Sequence, residues 1–503
     1  MRTGNEYLAS LGDRACDIFI GGERVTDVRT HPATAEACKS VARLFDLAAD
    51  PAHQDKLTYL DISTGRRYNN VWLQPRKPED LEARNRVHRA WADLSWGVFG
   101  RAPDHVAGWI TGMSCNPSAV SNPDERYANN ILDYYQFAKE RDLFVTYAIV
   151  LPAASKAVNT KILGGDNSGI GQFANAMRVV EEREDGIVVS GFKVLVTAGA
   201  LADEIMFGNW APLPPGQEKL AVTFALPVST KGLKLISRRP YAANAASVLD
   251  DPLSSRFDET DCIVYLDNVF VPWNRVFTYN RTDRAAGLFN DTPAHALGNA
   301  QAHVRLLSKL KLIVGLAKRV VEHNSLLGNP VVKDTVGKLA VNVTILDALI
   351  SAENTQYETW PGGYIAQSRK MLAATMAWTQ GIYPEMITTV RELLASHALQ
   401  QPADVSVFDT AETAELYARF NQQPATEAIE TYKLMRLLWD LVGTEFASRH
   451  TQYEMFYNGP QFANRNRHWT YFPWNEVDAH TQGALDYMGG YDELVVNRKK
   501  AAK

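Results

Sequence analysis

Four long amphipathic segments in the C-terminal part of the chain constrain the fold more than any other feature. In residues 303–327, apolar side chains such as Leu306 and Leu310 recur at helical spacing on one face, and Gly328 and Pro330 end the run. The same pattern recurs at residues 332–360, 366–395 and 426–457. Helices that each carry one apolar face bury those faces best against one another. The sequence therefore predicts a four-helix bundle within residues 276–503.

The middle of the chain, residues 144–275, has the pattern of short β-strands. Its first run, residues 144–151, is rich in β-branched and aromatic side chains and stops at Pro152. Asp185 and Gly186 separate two further runs, which is a strong hairpin signal. Several short strands with Pro and Gly between them predict an antiparallel barrel or sandwich. A Rossmann sheet is disfavoured because no long helical segment alternates with the strands. The later strand-like runs are 177–182, 187–196, 221–228, 232–236 and 262–270.

Residues 1–143 mix short helical patterns with turns. Paired glycines predict a small hairpin at residues 19–25, and helical spacing predicts helices at 82–99 and 103–113. The predicted fold class is therefore mainly α with a central β domain. The three predicted domains are helical (1–143), a β-barrel or sandwich (144–275) and the helical bundle (276–503).

Size and charge exclude several classes of protein. A chain of 503 residues is longer than one hydrophobic core normally supports, so more than one domain is expected. Its net charge of -5 argues against a surface that binds nucleic acid. We see no secretory signal and no apolar run as long as a membrane span, so no membrane partner is predicted. Four scattered cysteines show no metal or redox spacing, which fits a reduced, cytoplasmic protein.

Residues 99–105, FGRAPDH, combine a helix break with functional side chains. Arg101 offers a rigid fork of donors for an anion, and His105, four residues later, can move a proton near neutral pH. The alternative is an ordinary helix N-terminus, since Pro103 suits a first turn and Asp104 complements the helix dipole. These residues alone do not decide between the two interpretations.

Four motifs in order along the chain carry a resemblance to a known family. They are residues 3–8 (TGNEYL), 99–104 (FGRAPD), 266–277 (LDNVFVPWNRVF) and 439–446 (WDLVGTEF). With them, the chain resembles the oxygenase component of the 4-hydroxyphenylacetate 3-monooxygenase family, which includes chlorophenol and nitrophenol monooxygenases. That resemblance implies an acyl-CoA dehydrogenase-like architecture and a homotetramer. It also implies FADH2 as a diffusible co-substrate, supplied by a separate NAD(P)H:flavin reductase, and O2 as the oxidant.

The implied reaction hydroxylates the ring of a small phenolic or related aromatic substrate through a C4a-hydroperoxyflavin. It requires the exclusion of water, and a cation and a base near the phenol oxygen. By resemblance, Arg101 contacts flavin and phenolate. His105 stands where the phenylacetate hydroxylases carry a tyrosine, and Tyr147 stands where they carry a substrate-binding histidine. We expect His105 and Tyr147 to take part in catalysis, and Tyr147 also to contact the flavin. Alternatively, Tyr147 is a buried aromatic residue of a strand, whose hydroxyl bonds to any nearby acceptor.

A further histidine is a candidate base or phenol ligand. The resemblance points to the region of His295, immediately before the first predicted bundle helix, and leaves His303 as an alternative. A helix-cap role in a polar loop explains His295 equally well. The two histidines lack the spacing of metal ligands on a helix, and no H-E-x-x-H motif occurs, so no metal site is predicted.

The remaining cofactor contacts are also implied by the resemblance. Gln172, in the glycine-rich loop 164–172, and Thr197, which follows a strand, are expected near the flavin. Tyr383 and Pro384 match the segment that approaches the adenosine half of FAD. The diphosphate is assigned to Arg449 and His450. Thr197 could instead be an ordinary threonine of a β-turn. Arg449 and His450 could instead lie on a solvated helix face.

Other functions remain open at this point. An acyl-CoA dehydrogenase would use the same architecture with tightly bound FAD and a carboxylate base. A 4-hydroxybutyryl-CoA dehydratase requires iron-sulfur ligands, and cysteines are missing around Arg101 and His105. A non-catalytic carrier or assembly protein could keep the fold without turnover.

Overall fold

Helices form both ends of the chain, and two β-sheets lie between them. The computed structural model describes residues 1–12, 14–121, 124–152, 175–487, 498 and 500–502. The helices are α1 Gly4–Gly12, α2 Ala35–Ala49, α3 Gln54–Leu57, α4 Pro78–Leu94, α5 Pro103–Cys115, α6 Ser118–Ser121, α7 Glu125–Arg141, α8 Ser254–Phe257, α9 Gly287–Asn290, α10 Ala294–His323, α11 Pro330–Thr355, α12 Arg369–Leu394, α13 Ala411–Phe420, α14 Ala425–Val442, α15 Glu445–Phe456, α16 Gln461–Tyr471 and α17 Trp474–Tyr487. The strands are β1 Asp17–Ile20, β2 Glu23–Arg24, β3 Thr58–Asp61, β4 Arg66–Asn69, β5 Val145–Ala148, β6 Arg178–Glu182, β7 Gly186–Thr197, β8 Glu204–Phe207, β9 Val222–Pro227, β10 Leu233–Ser237, β11 Asp261–Pro272, β12 Val276–Tyr279, β13 Glu358–Trp360 and β14 Tyr364–Ala366.

The predicted bundle is present and consists of α10, α11, α12 and α14, which pack against one another. Three of its predicted boundaries were wrong. Helix α11 ends at Thr355, because the chain then forms the hairpin β13–β14 around Gly362 and Gly363, both at φ 76°. The predicted segment 426–457 is two helices, since the chain breaks at Gly443 and the Thr444 side chain caps α15.

The third boundary concerns the first bundle helix, which begins nine residues earlier than its periodicity indicates. Helix α10 starts at Ala294, directly after Pro293, rather than at His303. His295 therefore lies in the first helical turn and not in a polar loop before it. This change brings His295 onto the same helix as the bundle core.

Two sheets form the β domain, with strand orders β2-β1-β10-β11-β7-β6 and β12-β9-β8-β5. The predicted hairpins β1–β2 and β6–β7 are confirmed. Most pairs are antiparallel, but β1 pairs with β10 and β5 pairs with β8 in parallel. Buried residues of both sheets belong to one hydrophobic cluster, as in a sandwich. Strands β1, β2 and β12 come from outside the predicted range 144–275.

Helices α5 and α10 approach each other along a seam of glycines. A methyl group on Gly108 would lie 2.7 Å from the carbonyl oxygen of Leu297, and one on Gly112 would lie 2.3 Å from the backbone nitrogen of Ala294. Gly298 likewise lies under the Trp109 ring. The backbones of α5 and α10 can approach this closely only where the residues between them are glycines. The seam fixes the middle and the C-terminal half of α5 beside the start of α10.

Helix α11 corrects one expectation from the sequence. Its 26 residues are long and apolar enough to cross a membrane by length and composition, whereas no such segment was expected. Here it packs on α10 and α12 in the bundle. Its outer side exposes Val331 (72%), Val341 (55%) and Ile345 (39%).

The glycine seam predicts the effect of Gly112→Ala. The added methyl group has no space, so we expect a loss of about 1–3 kcal/mol in the free energy of unfolding. Gly315→Ala, on α10, is the matched control because nothing lies within 4 Å of its added methyl group. That variant should gain about 0.5–1 kcal/mol from helix propensity. Thermal unfolding of both variants checks the seam, and an equal response of the two would contradict it.

Candidate active site

A cavity of about 960 Å³ opens where the β-sheets meet α5, α10 and α15. Five residues predicted from the sequence line it: Arg101, Tyr147, Thr197, His295 and Arg449. Its remaining walls combine apolar side chains such as Trp109 and Leu195 with the segment that follows α15. The predicted site residues on three different parts of the chain are thus brought to one place.

Arg101 lies at the break between α4 and α5 and is 3% exposed. Its Nε donates a hydrogen bond to the Tyr147 hydroxyl at 3.1 Å, and its Nη2 donates to the carbonyl oxygen of Tyr457 at 3.0 Å. The guanidinium carbon lies 5.4 Å from the ring centres of Tyr147, Tyr453 and Tyr457. Among the described residues, no carboxylate forms an ion pair with it. A buried cation with spare N–H donors therefore faces the cavity.

The carboxylate of Glu259 holds the backbone at Arg101 in place. One oxygen of Glu259, Oε2, accepts the backbone N–H groups of Gly100 and Arg101, each at 2.8 Å. The other, Oε1, accepts a hydrogen bond from Nη1 of Arg449 at 2.6 Å. A side chain at position 100 would come within 2.8 Å of Glu259 and of the Tyr453 ring, so only glycine fits there. Sequence reasoning missed Glu259.

Arg449 lines the cavity, but carboxylates engage its donors. Besides Glu259, it forms a two-point contact with Asp261, with distances of 3.0 Å from Nε and 2.8 Å from Nη2. Burial alone would raise the pKa of Asp261, but Arg449 and Arg238 hold it well below its usual range. Arg449 thus anchors α15 to the β domain. Its role as a diphosphate ligand stays a prediction.

His105 lies behind Arg101 and does not line the cavity. Its Nδ1 lies 2.9 Å from the carbonyl oxygen of Gly298 and 3.3 Å from Nη1 of Arg101. Burial, and then the charge of Arg101, lower the pKa of His105 well below its usual value. The imidazole is therefore neutral, and it packs against the rings of Trp109 at 5.0 Å and Tyr147 at 5.7 Å.

Tyr147 and Thr197 line the cavity from the ends of β5 and β7. The Tyr147 oxygen accepts from Arg101, which leaves its own hydrogen available for a ligand. Its ring packs 4.7 Å from that of Trp109. The Thr197 hydroxyl donates to Asp261 at 2.8 Å, and this contact ties it to the Arg449 ion pair.

The structure separates the two histidines that the sequence left as alternatives. His295 lines the cavity, whereas His303 does not and pairs with Glu353 inside the bundle at 2.7 Å. Burial, and then the charge of Arg467, lower the pKa of His295 well below its usual value. The neutral His295 is therefore the histidine placed to act on a ligand.

Three other predicted cofactor residues do not line the cavity. Tyr383 is fully buried in the bundle, and Pro384 follows it within α12. His450 faces the bundle interior, where Nζ of Lys309 lies 3.2 Å from its Nδ1. Gln172 lies outside the described residues. Within the part of the chain that the structure describes, no group of three or more His, Cys, Asp or Glu side chains is arranged to hold a metal ion.

Sequence reasoning also missed the end of α15 and the segment after it. Tyr453, Tyr457, Asn458 and Arg467 all line the cavity. The tyrosines are four residues apart and stack at 5.6 Å, which is the spacing of neighbours on one helix face. The four-residue spacing of these tyrosines was the sequence signal that could have identified this segment as part of the site.

The cavity fits a flavin together with an aromatic ligand. Its volume lies at the upper end of the roughly 300–1,000 Å³ usual for ligand pockets, more than a single phenol ring requires. Apolar surfaces at Leu195, Trp210 and Phe456 suit a flat aromatic ring, and hydroxyl groups at Thr444 and Ser448 suit its polar substituents. These residues, with Arg101, would hold the cofactor.

The Glu259 contact predicts the effect of Glu259→Gln. The amide keeps an acceptor for the backbone but leaves Arg449 with one carboxylate fewer, so we expect a loss of roughly 3 kcal/mol in unfolding free energy. Displacement of Arg101 should also lower ring hydroxylation by up to roughly a hundredfold.

The matched control is Glu36→Gln, which makes the same chemical change in an exposed ion pair of the same 2.6 Å length with Lys39. It should cost less than about 1 kcal/mol. Thermal unfolding and product formation measure both variants. Equal behaviour of the two would show that Glu259 does not position Arg101.

Comparisons with known proteins agree with this geometry. Family models described as 4-hydroxyphenylacetate 3-hydroxylase N terminal and C terminal match residues 3–278 and 285–486. The 4-hydroxyphenylacetate 3-monooxygenase oxygenase component of Pseudomonas aeruginosa is 32% identical, over 91% of this chain and 87% of that protein. The 4-nitrophenol 2-monooxygenase oxygenase component of a Rhodococcus species is 31% identical, over 92% and 87%.

A solved structure extends the likeness to the whole fold. The crystal structure of the oxygenase component of 4-hydroxyphenylacetate 3-monooxygenase, complexed with FAD and 4-hydroxyphenylacetate, matches with a TM-score of 0.88 and 28% identity. The match covers 97% of this chain and all of the other. Together with the two family models, it shows that the chain belongs to the 4-hydroxyphenylacetate 3-hydroxylase family of flavin-dependent monooxygenases.

Proposed function

We propose that this chain is the oxygenase component of a two-component system that hydroxylates the ring of a small phenol, with Arg101 binding the phenolate oxygen. The observation that carries the proposal is the buried guanidinium, which faces the cavity without a carboxylate partner among the described residues. Reduced FAD, when bound, supplies the activated oxygen from O2. The phenolate is the more electron-rich form of the ring, so stabilising it favours transfer of that oxygen.

Two donors of this chain converge on the proposed position of the phenolate oxygen. Arg101 has N–H groups left after its bonds to Tyr147 and to the Tyr457 carbonyl. Tyr147 accepts from Arg101 and can donate its hydroxyl hydrogen onward. Donors fixed in a site of low dielectric stabilise an oxyanion far better than they do in water.

His295 is the proposed acceptor of the phenol proton. It lines the cavity and is neutral, because burial and the charge of Arg467 lower its pKa well below the usual value. His105 is neutral too, but it lies behind Arg101 and outside the cavity wall. We assign His105 to positioning Arg101 and Tyr147.

The names of the relatives and the protein's surface support proposals about its partners and assembly. The name "oxygenase component" implies a separate reductase, so we propose an NAD(P)H:flavin reductase that supplies FADH2. We also propose a homotetramer; the exposed apolar side of α11, with Val331, Val341 and Ile345, supports burial against another subunit. A cytoplasmic location is part of the same proposal.

Arg101→Lys tests the central assignment. Lysine keeps the charge but lacks the planar fork, so we expect hydroxylated product per FADH2 oxidised to fall by at least roughly tenfold, with O2 reduced by FADH2 to hydrogen peroxide instead. FADH2 is supplied anaerobically and O2 is then added, with a panel of phenols as substrates. Arg86→Lys, at an exposed position on α4, is the control. Unchanged product yield in Arg101→Lys would refute the assignment.

The pH profile tests His295. A neutral imidazole is needed as the proton acceptor, so activity should fall at acid pH as His295 becomes protonated. Because the pKa of His295 is lowered, this fall should occur at a pH below the usual pKa of histidine. Arg467→Gln removes a positive charge that disfavours the imidazolium, so the pKa of His295 should rise and the acid limb should move to higher pH. Arg465→Gln, an exposed arginine on the same helix, is the control. A limb that moves to lower pH, or stays in place, excludes His295 as the base.

A further inference from the structure

Arg467, on α16, is a second cation on the cavity wall whose donors are largely unused. It lines the same cavity as Arg101, and its side chain is partly exposed rather than sealed in the protein. Within the part of the chain that the structure describes, one of its five N–H groups is engaged, since Nη1 donates to Oδ1 of Asn464 at 2.6 Å. No carboxylate of the described residues pairs with it. Accessible guanidinium donors on a cavity wall are suited to an anionic ligand.

The described residues that line the cavity include three arginines, and the charge of each meets a different environment. Two carboxylates pair with Arg449, so its charge is compensated within the protein. Arg101 is assigned to the phenolate oxygen. Burial lowers the pKa of Arg467, and only two tyrosine hydroxyls oppose this effect. Its guanidinium has therefore lost hydration without gaining an anion, and a ligand anion would stabilise it.

Buried amides hold Arg467 and the cavity wall together. Nδ2 of Asn464 donates to Oε1 of Gln380 at 2.9 Å. Nε2 of Gln380 in turn donates to the carbonyl oxygens of Met455 and Gly459, at 2.9 Å and 2.7 Å. Both amide side chains are buried, and in both the oxygen accepts while the nitrogen donates. The groups that hold the segment after α15 thus also fix the position of Arg467 before a ligand binds.

Arg101 and Arg467 occupy different parts of the cavity wall. Among charged groups, Arg101 has the largest effect on the pKa of His105, whereas Arg467 has the largest effect on that of His295. Arg101 is also not among the groups that shift the pKa of Arg467. Since His295 is the proposed acceptor of the phenol proton, Arg467 lies on the substrate side of the cavity. A ligand that contacts both arginines carries an anionic group apart from its phenol oxygen.

We propose that Arg467 is a specificity-determining residue that binds a carboxylate on the substituent of the phenolic substrate. This inference rests on the proposed function, in which Arg101 holds the phenolate oxygen in the same cavity. A planar guanidinium matches a carboxylate, because two of its N–H groups point in parallel at the two oxygens. Nε and Nη2 of Arg467 are the pair left unused. The chain then selects phenols with an acidic side chain over neutral phenols of the same shape.

The reduced flavin also carries negative charge, which gives Arg467 a second possible ligand. We favour the substrate because Arg467 acts on His295, the group assigned to the phenol proton. The hydroxyl groups of Thr444 and Ser448, which suit the polar substituents of the flavin, belong to a different segment of the wall. A contact between Arg467 and the flavin is therefore the outcome that would contradict the inference.

The test compares phenolic acids with their own amides. The probes are 4-hydroxybenzoate, 4-hydroxyphenylacetate and 3-(4-hydroxyphenyl)propanoate, whose carboxylates lie at increasing distance from the ring, and the three matching carboxamides. Dissociation constants are measured by calorimetry on the full-length protein, without flavin and again anaerobically with FADH2. The wild type should bind at least one acid roughly tenfold more tightly than its amide, because hydrogen bonds to a charged group are the stronger ones.

Arg467→Gln should remove this preference by weakening the acid and leaving the affinity for the amide unchanged. Arg467→Lys keeps the charge without the planar fork and should retain part of the preference. Unchanged binding of the amide also shows that the variant site is intact. The ligand-free Arg467→Gln protein should unfold close to the wild-type temperature, since the charge that it loses has no anionic partner. Arg465→Gln, at an exposed position on α16, is the matched control and should keep the wild-type preference.

The outcomes separate the inference from the proposed function. A preference that is lost in Arg467→Gln and kept in Arg465→Gln supports the carboxylate subsite. If the wild type prefers no acid, or if the preference survives in Arg467→Gln, the subsite is overturned, while hydroxylation of the amides keeps the proposed function. If Arg467→Gln weakens FADH2 binding and leaves the acid-to-amide ratio unchanged, Arg467 serves the cofactor and the inference is wrong. If the wild type hydroxylates neither acids nor amides with FADH2 and O2, the proposed function fails and the inference fails with it.

Discussion

A single buried carboxylate, Glu259, joins the three parts of the chain at the site. It accepts two backbone N–H groups from the turn at Gly100 and Arg101, and it pairs with Arg449 on α15. The N-terminal helices, the β domain and the bundle side of the cavity therefore meet on one group. Arg101 is then held by its backbone, so the side-chain donors that remain after its bonds to Tyr147 and to the Tyr457 carbonyl are available for the proposed phenolate. The arrangement resembles other preorganised oxyanion sites, in which support comes from groups that never touch the ligand.

Periodicity and turn chemistry predicted most of the architecture, because long apolar stripes and glycine turns are local signals. They failed where the signal was not local. Gly443 splits one apolar stripe into α14 and α15 without altering its period, and the Gly362 hairpin follows directly on an apolar helix. In the site, Arg101 was singled out by a helix break and a charge together with the family resemblance. Glu259 was not, because the turn that it holds is 158 residues away, and an acidic residue in the loop before β11, beside Asp258 and Asp261, carries no pattern that distinguishes it.

The last helix at the cavity, α15, separates two electrostatic environments. Tyr453 faces the cavity and Arg101, whereas Glu454 faces the bundle, where it pairs with Arg305 and Lys309. Burial lowers the pKa of Lys309 to about 8, and the charge of Glu454 offsets this effect only in part. Burial, followed by the charges of Lys309 and Arg449, lowers the pKa of His450 well below its usual value, so this histidine is neutral.

The glycine seam between α5 and α10 has a consequence for how the family can change its substrates. Because the two backbones already touch at Gly108 and Gly112, the wall that carries Arg101 cannot move towards α10 and cannot accept bulk at the seam. Among the described lining residues, Leu195 and Trp210 have open space around them, so the part of the cavity wall that they form can be reshaped. The enzyme thus has one rigid wall for the chemistry shared by all phenols and one variable wall on which selection for a particular ring substituent can act.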